Sequence, residues 1–153
     1  MLRLAHGEIF ASGVCPYEDQ HPKDPPGNAR IVITVEIAGI ATQAAIDTGG
    51  AFFFLDPELI DEMPCEFEPT GRHRINIRGN DLWGTLSRCR ITLVAAAGNS
   101  QQVEVTVFVP DWDRTRPWMY PSMLGLNGCL EAFRFAVDPR TNQFYFGLLP
   151  ETS

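Results

Sequence analysis

Residues 44–55 read AAIDTGGAFFFL. A small apolar run delivers one aspartate, Asp47, into Thr48-Gly49-Gly50, and Phe52, Phe53 and Phe54 follow almost at once. A turn aspartate usually sits among polar residues, whereas this one has apolar chain on both sides. At the end of a buried strand a carboxylate loses hydration, which disfavours its charge unless backbone N–H groups face it. Glycine allows that arrangement, because a chain without a Cβ can turn tightly enough to bring N–H groups near the carboxylate, and a short hydroxyl can satisfy neighbouring backbone. The stretch reads as a strand that ends in a held carboxylate.

Outward from Asp47 the pattern is one strand after another. Upstream, ARIVITVEIAGIATQAAID alternates at Ile31, Ile33, Val35 and Ile37, turns at Ala38-Gly39-Ile40-Ala41 and resumes from Gln43 to Ile46, a hairpin whose second strand runs into Asp47. Downstream, RINIRGNDLWGTLSRCRITLVAAAGNSQQVEVTVFVP repeats the β-branched alternation around turns at Gly79-Asn80-Asp81 and Gly98-Asn99-Ser100. FRFAVDPRTNQFYFG predicts a closing hairpin with its turn at Asp138-Pro139-Arg140-Thr141-Asn142. Helix is confined to DPELIDEM, with Asp56 as N-cap and Pro57 first, and to LNGCLEAF. Residues 15–29 carry four prolines and no apolar period, and read as a surface loop or flexible strap. Residues 110–122 are irregular, but Trp112, Trp118 and Tyr120 mark them as packed or binding.

Composition narrows the function. A chain of 153 residues, 44% hydrophobic, is one domain's worth. A net charge of −7 with only 12 Lys and Arg argues against nucleic acid, since phosphate binding needs clustered cations. No apolar run is long enough for a membrane helix, and His6 and Glu8 interrupt the faint signal-like start, so the expected location is the cytoplasm. Cys15, Cys65, Cys89 and Cys129 never form Cys-x-x-Cys and are read as free thiols; no histidine stands at ligand spacing from them, and no metal or cofactor is assigned. Without a nucleophile elbow, a phosphate loop or a zincin helix, the carboxylate is the chemistry that remains.

From about Ala29 to Gly147 the chain resembles the retropepsin-like aspartic proteases, the single-lobed relatives of pepsin. AAIDTGGAFFFL matches that family's apolar-apolar-Asp-Thr-Gly pattern, and SMLGLNGCLEAFRFAVDP matches its later apolar-apolar-Gly, short helix and closing hairpin. The resemblance implies an all-β, single-lobed retropepsin-like acid protease fold, closed by homodimerisation because no second Asp-Thr-Gly occurs. It divides the chain into an N-terminal strand and proline-rich loop (1–28), the protease domain (29–149) and a tail (150–153).

The same resemblance implies roles. Asp47 is the catalytic carboxylate; Thr48 reaches the partner's loop, and Gly49 and Gly50 complete the active-site loop. Gly79, Asn80, Asp81, Leu82, Trp83 and Gly84 form a flap over a peptide or protein substrate, with Trp83 as its cover or else as core. Met123, Leu124 and Gly125 support the loop from beneath. If extended, Phe52, Phe53 and Phe54 alternate in direction, so that one or two face a pocket. Gly50 stands where the family usually has Ala, Ser or Thr, which loosens the loop, and Leu126 replaces a charged residue. Doubling the −7 gives −14 for a homodimer, which favours neutral or basic peptides. Two rival readings remain: a binding or assembly module on the same fold with little proteolytic activity, and a monomeric ligand-binding barrel in which Asp47 is a mere turn residue.

Overall fold

The computed structural model describes residues 1–63 and 67–151; the expected thiol at Cys65 lies outside them. Period-two patterning becomes strand nearly everywhere. In β4 (Val32–Ile37) and β10 (Gln101–Pro110) side chains alternate between core and solvent over much of their length, as the apolar alternation requires. Short strands β1 (Leu2–Arg3), β2 (Ile9–Ala11) and β3 (Gly13–Pro16) precede them. β5 (Ile40–Ala51) carries Asp47, β6 (Phe53–Phe54) follows, and β7 (Gly71–Ile77) and β8 (Asn80–Leu93) form the long hairpin. After β9 (Ala97–Gly98) and β10 come β11 (Ser122–Asn127), β12 (Phe133–Asp138) and β13 (Gln143–Leu148). The two short helix candidates are 3-10 turns, Pro57–Glu62 and Leu130–Ala132; Asp56 caps the first, its carboxylate accepting the Glu58 N–H at 2.9 Å.

The main sheet runs β10-β6-β11-β5-β4-β8-β7 and closes on itself where β10 also pairs with β8. Its interior takes Ile33, Val35, Phe53, Leu55, Ile91 and Val105, together with Phe144 and Phe146 from the closing hairpin. A second cluster, Val32, Ala45, Phe54, Phe108, Trp118 and Met123, is covered by Ile75, Ile77 and Leu82 of the long hairpin. Burying a phenylalanine of this kind contributes roughly 2–3 kcal/mol.

Several details depart from the sequence reading. The first hairpin turns on Ala38-Gly39 alone, both at positive φ, so β5 begins at Ile40 rather than Gln43. The second turns on Arg78-Gly79, earlier than the expected Gly79-Asn80-Asp81, because Arg78 itself adopts the left-handed conformation at φ 51°. Residues 15–29 are no flexible strap. A bridge pairs Glu18 with Val32, and His21 and Asp24 are buried, so hydrogen bonds replace the missing apolar period. The N-terminal strand also finds its partner within the chain, β3 lying between β13 and β9.

Candidate active site

Asp47 reaches its place because β5 and β11 run parallel, with Ala44, Ala45, Ile46 and Asp47 opposite Ser122, Met123, Leu124 and Gly125. Leu124 is fully buried, so the strand beneath the aspartate is fixed by core packing. Gly125 then lets the returning chain cross close above it. A Cβ there would lie 2.6 Å from the Ala51 carbonyl carbon and 2.7 Å from the Phe52 oxygen, whereas the Gly125 N–H donates to that same oxygen at 2.8 Å. The crossing is sharp enough to hold Phe52 at φ 65°, a conformation uncommon for a bulky residue, while its N–H donates to the Asn127 carbonyl at 2.6 Å. The phenylalanine run is therefore not simply extended. Phe52 breaks it, Phe53 enters the main core, Phe54 enters the second cluster, and Phe52 packs edge-on against the His73 ring.

The aspartate carboxylate folds back over its own loop. Its Oδ1 accepts the Gly49 N–H at 3.2 Å, and a Cβ on residue 50 would lie 3.0 Å from Oδ2. Gly50 thus makes room for the carboxylate, a role that loop looseness does not capture. Thr48 is exposed, and among the described residues nothing hydrogen-bonds its hydroxyl. Leu126, immediately after the supporting glycine, is 44% exposed.

Asp47, Gly49, Gly50 and Met123 form one wall of a cleft of about 300 Å³, and Asn76, Ile77 and Arg78 of the long hairpin form the opposite wall. Arg30, at the entry to β4, completes it. The sequence located this hairpin but assigned its site residues to the turn and the returning strand. Gly79 lies in the turn, Asn80 donates to the Tyr120 hydroxyl at 3.0 Å, Asp81 accepts from Asn76 at 3.1 Å, and Leu82 covers the second cluster. Gly84 is buried against β10, where a Cβ would meet the Val109 oxygen at 2.4 Å, so it is a packing glycine. Trp83 is 52% exposed beneath the Arg74 guanidinium, which excludes the core alternative.

Arg30 and Arg78 escaped the sequence reading. Each binds Asp24 of the strap, Arg30 at 3.0 Å and Arg78 at 2.5 Å, and no local pattern links a hairpin arginine to a proline-rich loop 54 residues away. The thiols lie elsewhere: burial pushes Cys15 up to about 11 and Cys129 up to about 12. Among the described residues no helix is long and apolar enough to cross a membrane.

No protein-family model matches the sequence, and no curated protein matches it. Among solved structures, the chain is similar to a retropepsin-like aspartic protease from Rickettsia conorii, with a TM-score of 0.50 and 16% identity over 88% of this chain and 89% of that one. At that identity the likeness concerns the backbone: the protein has an all-β, retropepsin-like fold.

Proposed function

We propose that the chain is an aspartic endopeptidase that acts as a homodimer, with one Asp47 from each subunit at a shared site. The observation that carries this reading is the placement of Asp47 at the end of β5, clamped over Gly125, bonded by the Gly49 N–H and open to a cleft walled by a β hairpin. Two carboxylates about 3 Å apart cannot both ionise, so such a pair holds one proton between them. The ionised member takes a proton from water as that water attacks the scissile carbonyl, and the protonated member donates to the carbonyl oxygen. One Asp47 has half of this machinery. The exposed Thr48 hydroxyl and Leu126 side chain beside it are available to a second copy. Dimerisation thus rests on the incomplete site, since the terminal strand β3 is already paired within the chain.

The test is Asp47→Asn, which keeps shape and removes the titratable group. The pure variant loses peptide hydrolysis while retaining its thermal transition. After full subunit exchange in an equal mixture with wild type, about a quarter of the activity of the same total amount of wild type remains, because only wild-type pairs carry two carboxylates. A mixture that holds at half, or an active pure variant, overturns the reading.

A further inference from the structure

The strap that precedes the β4–β5 hairpin does more than cover the surface. Asp24 is the point of interest: its carboxylate is completely enclosed, and both of its oxygens are taken by guanidinium groups. Oδ2 accepts from Arg30 Nε at 3.0 Å and Oδ1 from Arg78 at 2.5 Å. A buried charge with these partners is costly to strand, so Asp24 holds each guanidinium in place, and loss of one still leaves it paired with the other. Arg30, at the entry to β4, and Arg78, on the long hairpin, both line the cleft that contains Asp47. Arg78 is the turn residue of the long hairpin, held at φ 51°, and its guanidinium also lies 5.5 Å over the Tyr120 ring. Asn80, two residues on, donates to the Tyr120 hydroxyl at 3.0 Å.

The strap is itself fastened. The His21 ring makes a 3.2 Å hydrogen bond with the Gln43 carbonyl and accepts the Lys23 N–H at 3.0 Å, and Lys23 pairs with Asp56 at 2.5 Å and Glu58 at 3.1 Å. Asp24 is therefore a fixed anchor, whereas the hairpin tip it holds is exposed and otherwise tied by Asn80 to Tyr120 and by Ile77 packed on the second cluster.

We propose that Asp24 is a positioning residue: acting through Arg78 and Arg30, it sets the hairpin tip over the Asp47 cleft before substrate arrives. The consequence for catalysis rests on the proposed protease reading, in which the hairpin closes over substrate. A tip already held in place has less conformational freedom to lose on binding. Loss of the link then acts chiefly on KM and leaves kcat nearly unchanged.

Hydrogen exchange and peptide hydrolysis on the full chain, in wild type, Arg78→Gln, Arg78→Lys and Asp24→Asn, test this. Arg78→Gln removes the tip's charge and spares the strap, so it keeps the fold even where the buried Asp24→Asn change does not. Amide exchange over residues 75–82 accelerates about tenfold in Arg78→Gln, with the β4 and β11 amides unchanged. Arg78→Lys, which restores the charge without the fork, recovers part of the protection. KM rises severalfold in Arg78→Gln, with kcat within about twofold of wild type. Unchanged exchange at 75–82 overturns the positioning role, whether or not peptides are cleaved. Faster exchange with a fall in kcat alone overturns the proposed effect on binding. Absence of any hydrolysis in wild type defeats the protease reading and leaves the exchange result to decide the role of Asp24.

Discussion

On one side of the cleft the Asp47 loop is held by backbone: a parallel register with β11, main-chain hydrogen bonds at Phe52 and Gly125, and a crossing that admits no side chain at residue 125. On the other side the hairpin tip is held by side chains, Arg78 to Asp24 and Asn80 to Tyr120, across gaps of 54 and 40 residues. The first side has little to adjust, because moving Asp47 means moving a strand of the closed sheet. The second depends on single side-chain contacts to distant segments. On the protease reading proposed above, a backbone-held carboxylate facing a side-chain-held hairpin suits a chain-like substrate.

The contrast breaks most sharply at its glycines. Gly125→Ala puts a Cβ less than 3 Å from three backbone atoms of Ala51 and Phe52, with no flexible side chain to yield. The expected destabilisation is about 3 kcal/mol or more, read as a fall in the denaturant midpoint. Gly79→Ala in the hairpin turn meets nothing within 4 Å and bears only the strain of φ 82°, which costs about 1 kcal/mol. Equal losses at the two positions would mean that the walls are not held differently.

The core carries an alkaline weakness. Cys129 is fully buried just beyond β11, and Cys15 is buried on β3, their thiols pushed up to about 12 and about 11 from the ordinary value of 9.0. A raised folded-state value means that the native chain holds a proton the unfolded chain releases. Stability is therefore intact below about pH 9 and falls above it, by about 1.4 kcal/mol per pH unit for each thiol, until the folded thiol ionises. Unfolding curves between pH 8 and 11 check the slope, and Cys129→Ala removes its share.

Asp47 was singled out on local grounds, as an aspartate between apolar runs, whereas Gly125 was singled out only through the resemblance to the protease family's later apolar-apolar-Gly motif. The strands were legible on local grounds too, through period-two burial. What was not legible depends on distant charge. Arg30, Arg78 and Asp24 look like ordinary surface residues until the fold brings a proline-rich loop against a hairpin turn, and the turn itself was displaced because Arg78 takes a conformation usually left to glycine. Gly50 was noticed for its backbone freedom, and the structure adds a second role. Its value lies in the space it leaves, which Gly50→Ala tests: the added Cβ, 3.0 Å from Oδ2, turns the Asp47 carboxylate without straining the backbone. Stability changes by less than about 1 kcal/mol while kcat of peptide hydrolysis falls. A kcat equal to wild type would mean that the carboxylate does not need that space.

The smallest effect lies at the base of the long hairpin, where Arg72 of β7 makes a two-pronged bond to Asp111 at 2.8 and 2.6 Å. Hydrogen bonding to Arg72, followed by its charge, holds the Asp111 carboxyl below its usual range. Both side chains are more than half exposed, so solvent and salt screen most of the attraction. The sign is nonetheless fixed. A lowered folded-state value means that the pair adds stability above the unfolded carboxyl's range and loses it as pH falls through the folded one. Asp111→Asn should lower Tm by only about 1–2 °C at pH 7 in low salt, and that gap should narrow as pH falls through the folded carboxyl's range. Adding 0.5 M salt at pH 7, where the Debye length is about 4 Å, should shrink the same gap. A gap that survives both acid and salt would show that the hairpin base is held by packing rather than by charge, and the two walls of the cleft would then differ only at the tip.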